Sequence, residues 1–278
     1  MPLDHQLRQD TVSAPGLQHL IIFTDLDGTL LDHHTYSHAQ ATPALERLRR
    51  HDIPLILASS KTAAEIAPLR EALGFAHCPA IVENGAGMLE PGRELEDTAE
   101  RHGEIRQILD QLPAKLRKHF QGFSDWSVDQ LAERTGLTRA DAENARNRQF
   151  SEPGLWLGNE ADRAEFVAEV SVRGLQITQG GRFLTPSFGG SKARCMREIA
   201  VRHATDRGQA FAVALGDAEN DVDMIEQADL GVIIPNPAHR GIPPLAGEAT
   251  GSVIRAGNPG PAGWNSVMMG LMDHWELD

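Results

Sequence analysis

Two aspartates stand two positions apart at the end of an apolar run, in Asp25-Leu26-Asp27-Gly28-Thr29. One carboxylate can attack an electrophile and carry it covalently, the other can move a proton, and the glycine leaves backbone N–H groups free to face an anion. A second acidic set, Gly216-Asp217-Ala218-Glu219-Asn220-Asp221, also closes an apolar run and opens a helix. Carboxylates in a first helical turn are favoured by the helix dipole, which accounts for Glu219 and in part for Asp221, but less well for Asp217. Lys192 follows Gly189-Gly190-Ser191 in another first helical turn, where its charge opposes the dipole. A cation in that position suits a phosphate clamp, and Ser59 supplies a hydroxyl from the end of a further apolar run. Gathering Asp25, Asp27 and Asp217 into one crevice crowds like charges at several kcal/mol unless a cation intervenes. Mg²⁺ meets the need: it takes oxygen ligands, one or two carboxylates together with waters and a phosphate oxygen.

The elements that must position these groups can be read from the apolar pattern. His19–Thr24, Pro54–Ala58, Ala80–Val82, Phe211–Leu215 and Leu230–Ile234 are short apolar runs of the kind that form parallel strands buried on both faces. Helical patterns alternate with them, through Leu45 and Leu48, from Thr62 to Gly74, through Met196 and Ile199, and through Met224 and Ile225. Thr42-Pro43 suggests an N-cap with proline at the first helical position, Thr62 with Glu65 a capping box, and Pro68 a kink. This alternation implies an α/β fold, a doubly wound parallel sheet whose ligand crevice lies outside the carboxyl ends of the strands. That rule selects the polar residues which close the runs: Asp25, Asp27, Ser59, Glu83, Asn84 and Asp217.

The alternation fails between about residues 88 and 187. Helical stretches around Glu104–Phe120 and Asp162–Val172, with short strands near Gly154–Leu157 and Leu175–Thr178, predict an inserted α+β domain. The expected organisation is therefore an extension over 1–18, a core of 19–87 and 188–278, and an insertion of 88–187. The extension lacks the basic start and apolar stretch of a secretory signal and reads as mobile. With 278 residues, 41% hydrophobic and 23% charged, the chain can bury a large core and is not disordered. No apolar run approaches the roughly 18 residues of a membrane span. A formal net charge of −13, with no basic block, argues against a nucleic acid or an anionic membrane as partner. A small anionic substrate is still admissible, because a few local cations and a bound ion reverse the sign of a pocket. Cys78 and Cys195 have no metal-like spacing and read as reduced thiols of a cytoplasmic protein.

Taken in order, DLDGT at Asp25–Thr29, Ser59, Lys192 and GDAEND at Gly216–Asp221 resemble the four motifs of haloacid dehalogenase-like phosphatases. The insertion is similar to the large α/β cap of the subclass that acts on sugar phosphates. SSKT at Ser59–Thr62, ENG at Glu83–Gly85, RQFSEP at Arg148–Pro153, GGSK at Gly189–Lys192 and GPAGWN at Gly260–Asn265 look like those of mannosyl-3-phosphoglycerate phosphatases. Sucrose-phosphate and general sugar phosphatases are the nearest alternatives, and Ser-Ser-Lys in place of their commoner Thr-Gly-Arg favours the narrower likeness. The resemblance implies that Asp25 is the nucleophile, that Asp27 protonates the leaving alcohol and then activates water, and that Ser59 and Lys192 bind phosphoryl oxygens. It implies Mg²⁺ held by Asp25, Asp217 and the backbone carbonyl of Asp27, with Asp221 ligating or orienting. Gly28, Ser60, Lys61, Asn84, Arg148, Ser151, Glu152 and Asn220 would bind substrate, a small phosphorylated sugar or glycerate. A phosphorylated receiver and a phosphomutase are less well matched, the receiver because of Asp27 and the inserted domain.

Other residues have plainer readings. Adjacent histidines do not share a helix face, so His33-His34 reads as an exposed loop. Trp126, Trp156 and Trp264 read as packing residues.

Overall fold

In chain order the strands are Leu20–Thr24 (β1), Leu55–Leu57 (β2), Ala80–Val82 (β3), Gly87–Leu89 (β4), Phe120–Gly122 (β5), Gly154–Trp156 (β6), Gln176–Gly180 (β7), Phe183–Ser187 (β8), Phe211–Gly216 (β9), Leu230–Ile233 (β10) and Val253–Arg255 (β11). The helices are Thr42–Arg50 (α1), Ala63–Ala72 (α2), Ala99–Asp110 (α3), Ala114–Arg117 (α4), Val128–Thr135 (α5), Arg139–Arg146 (α6), Glu160–Val172 (α7), Lys192–His203 (α8), Val222–Gln227 (α9), Ala246–Thr250 (α10) and Gly260–His274 (α11). This computed structural model describes residues 19–92, 99–204, 208–238 and 240–277, so the expected extension over 1–18 lies outside the described residues. The chain divides into two compact units: Met1–Ser59, Arg70–Ile81 and Lys192–Asp278 form the first, Ser60–Leu69 and Val82–Ser191 the second. Two of the four divisions, Leu69/Arg70 and Ile81/Val82, fall inside α2 and β3.

The first unit is built on a five-stranded sheet in the order β11-β10-β9-β1-β2, with every pairing parallel. Within it β1, Leu-Ile-Ile-Phe-Thr, lies between β9 and β2, and all five of its residues are buried. A strand can be apolar on both faces only when helices cover both, which is the reason a continuous run rather than an alternating one marks it. In register, Thr24 pairs with Leu57 on one side and with Leu215 on the other, so β1, β2 and β9 end at the same level. Asp25, Ser59 and Asp217 therefore leave the sheet at one edge, as the strand-end rule requires.

The second unit is α+β. Its antiparallel sheet runs β5-β6-β8-β7. One cluster joins Ile105, Leu109 and Leu116 of the helices to Phe120, Phe166 and Leu184, and another joins Phe123, Trp126, Leu131 and Ala142.

Several local expectations are corrected. The stretch Glu104–Phe120 is not one helix: Pro113, which lacks an N–H, sits at the N-cap of the short α4, and Phe120 opens β5. Ala41, not Thr42, occupies the N-cap of α1, after a 3-10 turn over Ala39–Ala41, with Pro43 just inside. Helix α2 carries Pro68, read as a kink, inside its span. Its capping box forms as read: Thr62 N–H donates to Glu65 Oε2 at 2.8 Å, and Glu65 N–H to Thr62 Oγ1 at 3.1 Å. Helices α5 and α6 occupy what reads as polar turns. Their signals are present, an N-cap Ser127 with Gln130 three residues on, an N-cap Thr138, and Gly136 at φ 79° to stop α5. Each is eight residues, about two turns, shorter than the 11–18-residue window in which helical period shows.

Candidate active site

Asp25 is the first residue after β1, and its N–H donates to Leu215 O of β9 at 2.8 Å. The loop behind it is tight: Gly28 N–H donates to Leu31 O at 2.9 Å and Leu31 N–H to Leu26 O at 2.8 Å. Gly28 holds φ 89°, a conformation that strains any residue with a Cβ. Asp217 follows β9 directly, and Asp221 lies one turn on.

Lys192, at the start of α8, reaches both loops. Its Nζ lies 2.6 Å from Asp25 Oδ1 and 2.7 Å from Asp221 Oδ1. Asp25, Lys192, Asp217 and Asp221 are all buried, and Ser59 is buried at the end of β2. Burial pushes the Asp25 carboxyl well above the usual carboxylate range; the Lys192 ammonium opposes this, and the charges of Asp221 and Asp217 add to it. Burial also works against the Lys192 ammonium, but the Asp221 and Asp25 carboxylates outweigh it and hold the lysine above its ordinary pKa.

Asp25, Asp217 and Asp221 each present a carboxylate oxygen, and the three oxygens lie within 4.8 Å of one another. Three carboxylates against one ammonium leave two negative charges in a water-poor site, the charge that one divalent cation neutralises. Oxygen-only donors suit Mg²⁺. The donor set thus fits the ion expected from sequence. Asp27 places no carboxylate in this cluster and is half-buried, while Asn220 is exposed on the turn between Asp217 and Asp221.

Sequence reasoning passes over three groups that hold these side chains. Thr29 Oγ1 donates to Asp217 Oδ1 at 2.9 Å, and Asn236 Nδ2 to Asp217 Oδ2 at 2.7 Å. Trp264 Nε1 donates to Thr24 Oγ1 at 3.0 Å, and that hydroxyl donates to Asp25 O at 2.8 Å. Trp264 is fully buried, so its reading as a packing residue holds, with the indole also bonded one residue before Asp25. Asn236 stands three residues beyond β10, whereas Asp217 follows β9 directly, so the strand-end rule does not single it out.

In the second unit, Arg148 and Ser151 face inward. Glu83 accepts from Gln149 N–H at 2.8 Å and from Ser151 Oγ at 2.5 Å, and pairs with Arg148 Nε at 3.4 Å. Both Arg148 Nη atoms donate to Ser60 O at 3.3 Å. Glu83 and Asn84 hold φ 51° and 59°, an uncommon conformation for residues with a Cβ. Ser60 is exposed, and Lys61 and Asn84 are half-buried.

Glu152 is fully buried and committed to its own network, with His102 Nε2 at 2.5 Å, Ser124 N–H at 2.8 Å and Ser124 Oγ at 2.9 Å. Burial raises its pKa, but the hydrogen bonds from His102 and Ser124 outweigh that and hold it below the ordinary value. A depressed folded-state pKa contributes stability above the unfolded value, about 4.3, and loses it as pH falls through the folded value. The stability gap between wild type and Glu152→Gln is therefore open at pH 7 and narrows below about pH 4. Urea midpoints across that range check it; a gap constant with pH would refute it.

His33 and His34 are exposed, as expected. Both cysteines are free and buried. Among the described residues no helix is long and apolar enough to cross a membrane.

Residues 22–151 match a family model described as haloacid dehalogenase-like hydrolase. A phosphatase of the haloalkanoate enzyme superfamily from Bacteroides thetaiotaomicron shares 18% identity, covering 98% of this chain and 100% of that one at a TM-score of 0.61. The sucrose-phosphatase of Synechocystis, solved with sucrose and phosphate, shares 13% identity, covering 93% and 98% at 0.58. A protein from Thermotoga maritima shares 18%, covering 91% and 96% at 0.60. At such identities the likeness is one of fold.

Proposed function

We propose, from the premise that this chain has the fold of haloacid dehalogenase-like hydrolases, that it is a Mg²⁺-dependent phosphatase of mannosyl-3-phosphoglycerate, releasing mannosylglycerate and phosphate. The observation that carries the reaction type is the buried cluster of Asp25, Asp217 and Asp221 closed by Lys192. Asp25 attacks phosphorus, the bond to the sugar-glycerate oxygen breaks, and Asp27 gives that oxygen its proton. Asp27, now a carboxylate, takes a proton from water as the water attacks the aspartyl-phosphate and returns Asp25. Ser59 and Lys192 hold phosphoryl oxygens through both steps. Asp25, Asp217 and Asp221 would hold the Mg²⁺, which supplies positive charge to the transferring group. Burial lets the fixed charges act at low dielectric.

The substrate rests on the sequence likeness alone: SSKT, ENG, RQFSEP, GGSK and GPAGWN, with Ser-Ser-Lys after β2. Other sugar-phosphate esters, sucrose-phosphate and glucosyl-3-phosphoglycerate among them, are the competing substrates. A phosphate-release assay over these esters and hexose phosphates, with Mg²⁺ and with chelator, separates the two levels. Mannosyl-3-phosphoglycerate is expected to exceed the others in kcat/KM by about tenfold or more, with all release stopped by chelator. Equal rates on hexose phosphates would refute the substrate, and release in chelator would refute the metal.

A further inference from the structure

We infer that Asn236 is a positioning residue that, with Thr29, fixes the carboxylate of Asp217 for the divalent cation. The inference rests on the metal reading proposed above. β10 pairs with β9 in parallel, Ile233 against Gly216, and Ile234 N–H donates to Gly216 O at 2.8 Å. The chain leaving β10 thus rises beside the chain leaving β9, and Asn236 arrives next to Asp217. The orientation of its amide follows from its partners. Oδ1 accepts the Ala238 N–H at 3.0 Å, so the other end must be the NH₂ group, and that group donates to Asp217 Oδ2 at 2.7 Å. Thr29 takes the other oxygen of Asp217 at 2.9 Å. Two donors from separate segments therefore grip the two oxygens, which fixes the carboxylate plane, and a carboxylate oxygen of Asp217 lies within 4.8 Å of those of Asp25 and Asp221.

Asparagine has the right chemistry for the position. A lysine or arginine would orient Asp217 equally well but would cancel the negative charge that the cation needs. An aspartate could donate only by carrying a proton. The close approach of Asn236 also accounts for Gly28: a Cβ there would lie 2.1 Å from Asn236 Nδ2 and 2.9 Å from Asp217 Oδ2. Asn236 borders a cavity of about 280 Å³ shared with Gly28, His33, His34 and Asn258. Shortening it enlarges an existing space rather than sealing a new void in the core, so the truncated chain keeps its fold.

The test is calorimetric titration of the full chain with MgCl₂ in the absence of substrate. Asn236→Ala is expected to weaken Mg²⁺ binding by about 10–100-fold, the usual effect of losing a group that orients a ligand. Thr29→Val should do the same and Thr29→Ser should restore wild-type affinity, which gives a second, independent arm. In turnover the Mg²⁺ concentration for half-maximal rate should rise by the same factor, with KM for the ester unchanged at saturating Mg²⁺. Wild-type affinity in a folded Asn236→Ala protein would overturn the inference, as would a Thr29→Ser protein as weak as Thr29→Val. A wild-type chain that binds no Mg²⁺ would instead overturn the metal reading, and the inference with it.

Discussion

The Asp25→Asn protein is expected to fold, to unfold at or above the wild-type temperature in chelator, and to release no phosphate from any ester. The two halves of this result have one cause. Asp25 is buried, and burial holds its pKa well above the ordinary value. A carboxyl whose folded-state pKa exceeds its unfolded one destabilises the fold at pH above both, because ionising it costs more in the folded chain. Asparagine keeps the shape and an oxygen that can still accept from Lys192, and it removes that cost. It also removes the proposed nucleophile, and loss of a covalent nucleophile lowers kcat by about 10⁴-fold or more. Acid quenching of the wild type with a labelled ester should leave phosphoryl on the protein, cleavable by hydroxylamine and missing from Asp25→Asn. Activity within tenfold of wild type, or labelling that survives the substitution, would remove Asp25 from the proposed role.

What could be read in advance, and what could not, divides along a physical line. The sheet of the first unit was legible because a parallel strand covered on both faces must be a short unbroken apolar run, and Leu20–Thr24 is one. That Asp25, Ser59 and Asp217 leave the sheet at one edge was legible for a related reason: they are the first polar residues after such runs, and strand ends of this kind line a crevice. Side chains that act on other side chains were not legible. Asn236 lies in Pro-Asn-Pro, which resembles an ordinary turn, and its partner Asp217 is 19 residues away. The same limit appears at Arg148, Ser151 and Glu152. Their partners come from other parts of the chain: Glu83 pairs with Arg148 and accepts from Ser151, and His102 lies against Glu152. Helix α5 was missed for a different reason: its capping box is plain in Ser127 and Gln130, and Val128, Leu131 and Ala132 share one face, but its eight residues are shorter than the window in which helical period shows.

Lys192→Met should separate stability from catalysis. The lysine is buried between two buried carboxylates, at 2.6 and 2.7 Å. Removing one partner of such a pair leaves uncompensated charge, at a cost of about 3–5 kcal/mol. In chelator the variant should therefore unfold at a markedly lower urea concentration, and its carboxylates should take up a proton to limit the loss. Mg²⁺ should reverse much of this. The three carboxylates then face the cation without a competing ammonium, so the variant should bind Mg²⁺ more tightly than wild type, and the tighter binding stabilises the folded state by mass action. Turnover should not follow. Mg²⁺ balances the carboxylates, but the ammonium proposed to meet charge on the phosphoryl oxygens is gone, and loss of one such donor lowers kcat by about 10²–10³. Urea unfolding with and without Mg²⁺, beside kcat at saturating Mg²⁺, tests both claims. If Mg²⁺ restored turnover along with stability, Lys192 would be only a counter-ion for Asp25 and Asp221. If chelated Lys192→Met were within about 1 kcal/mol of wild type, the ion pairs would be too weak to hold the two loops together, since exposed pairs contribute no more than that.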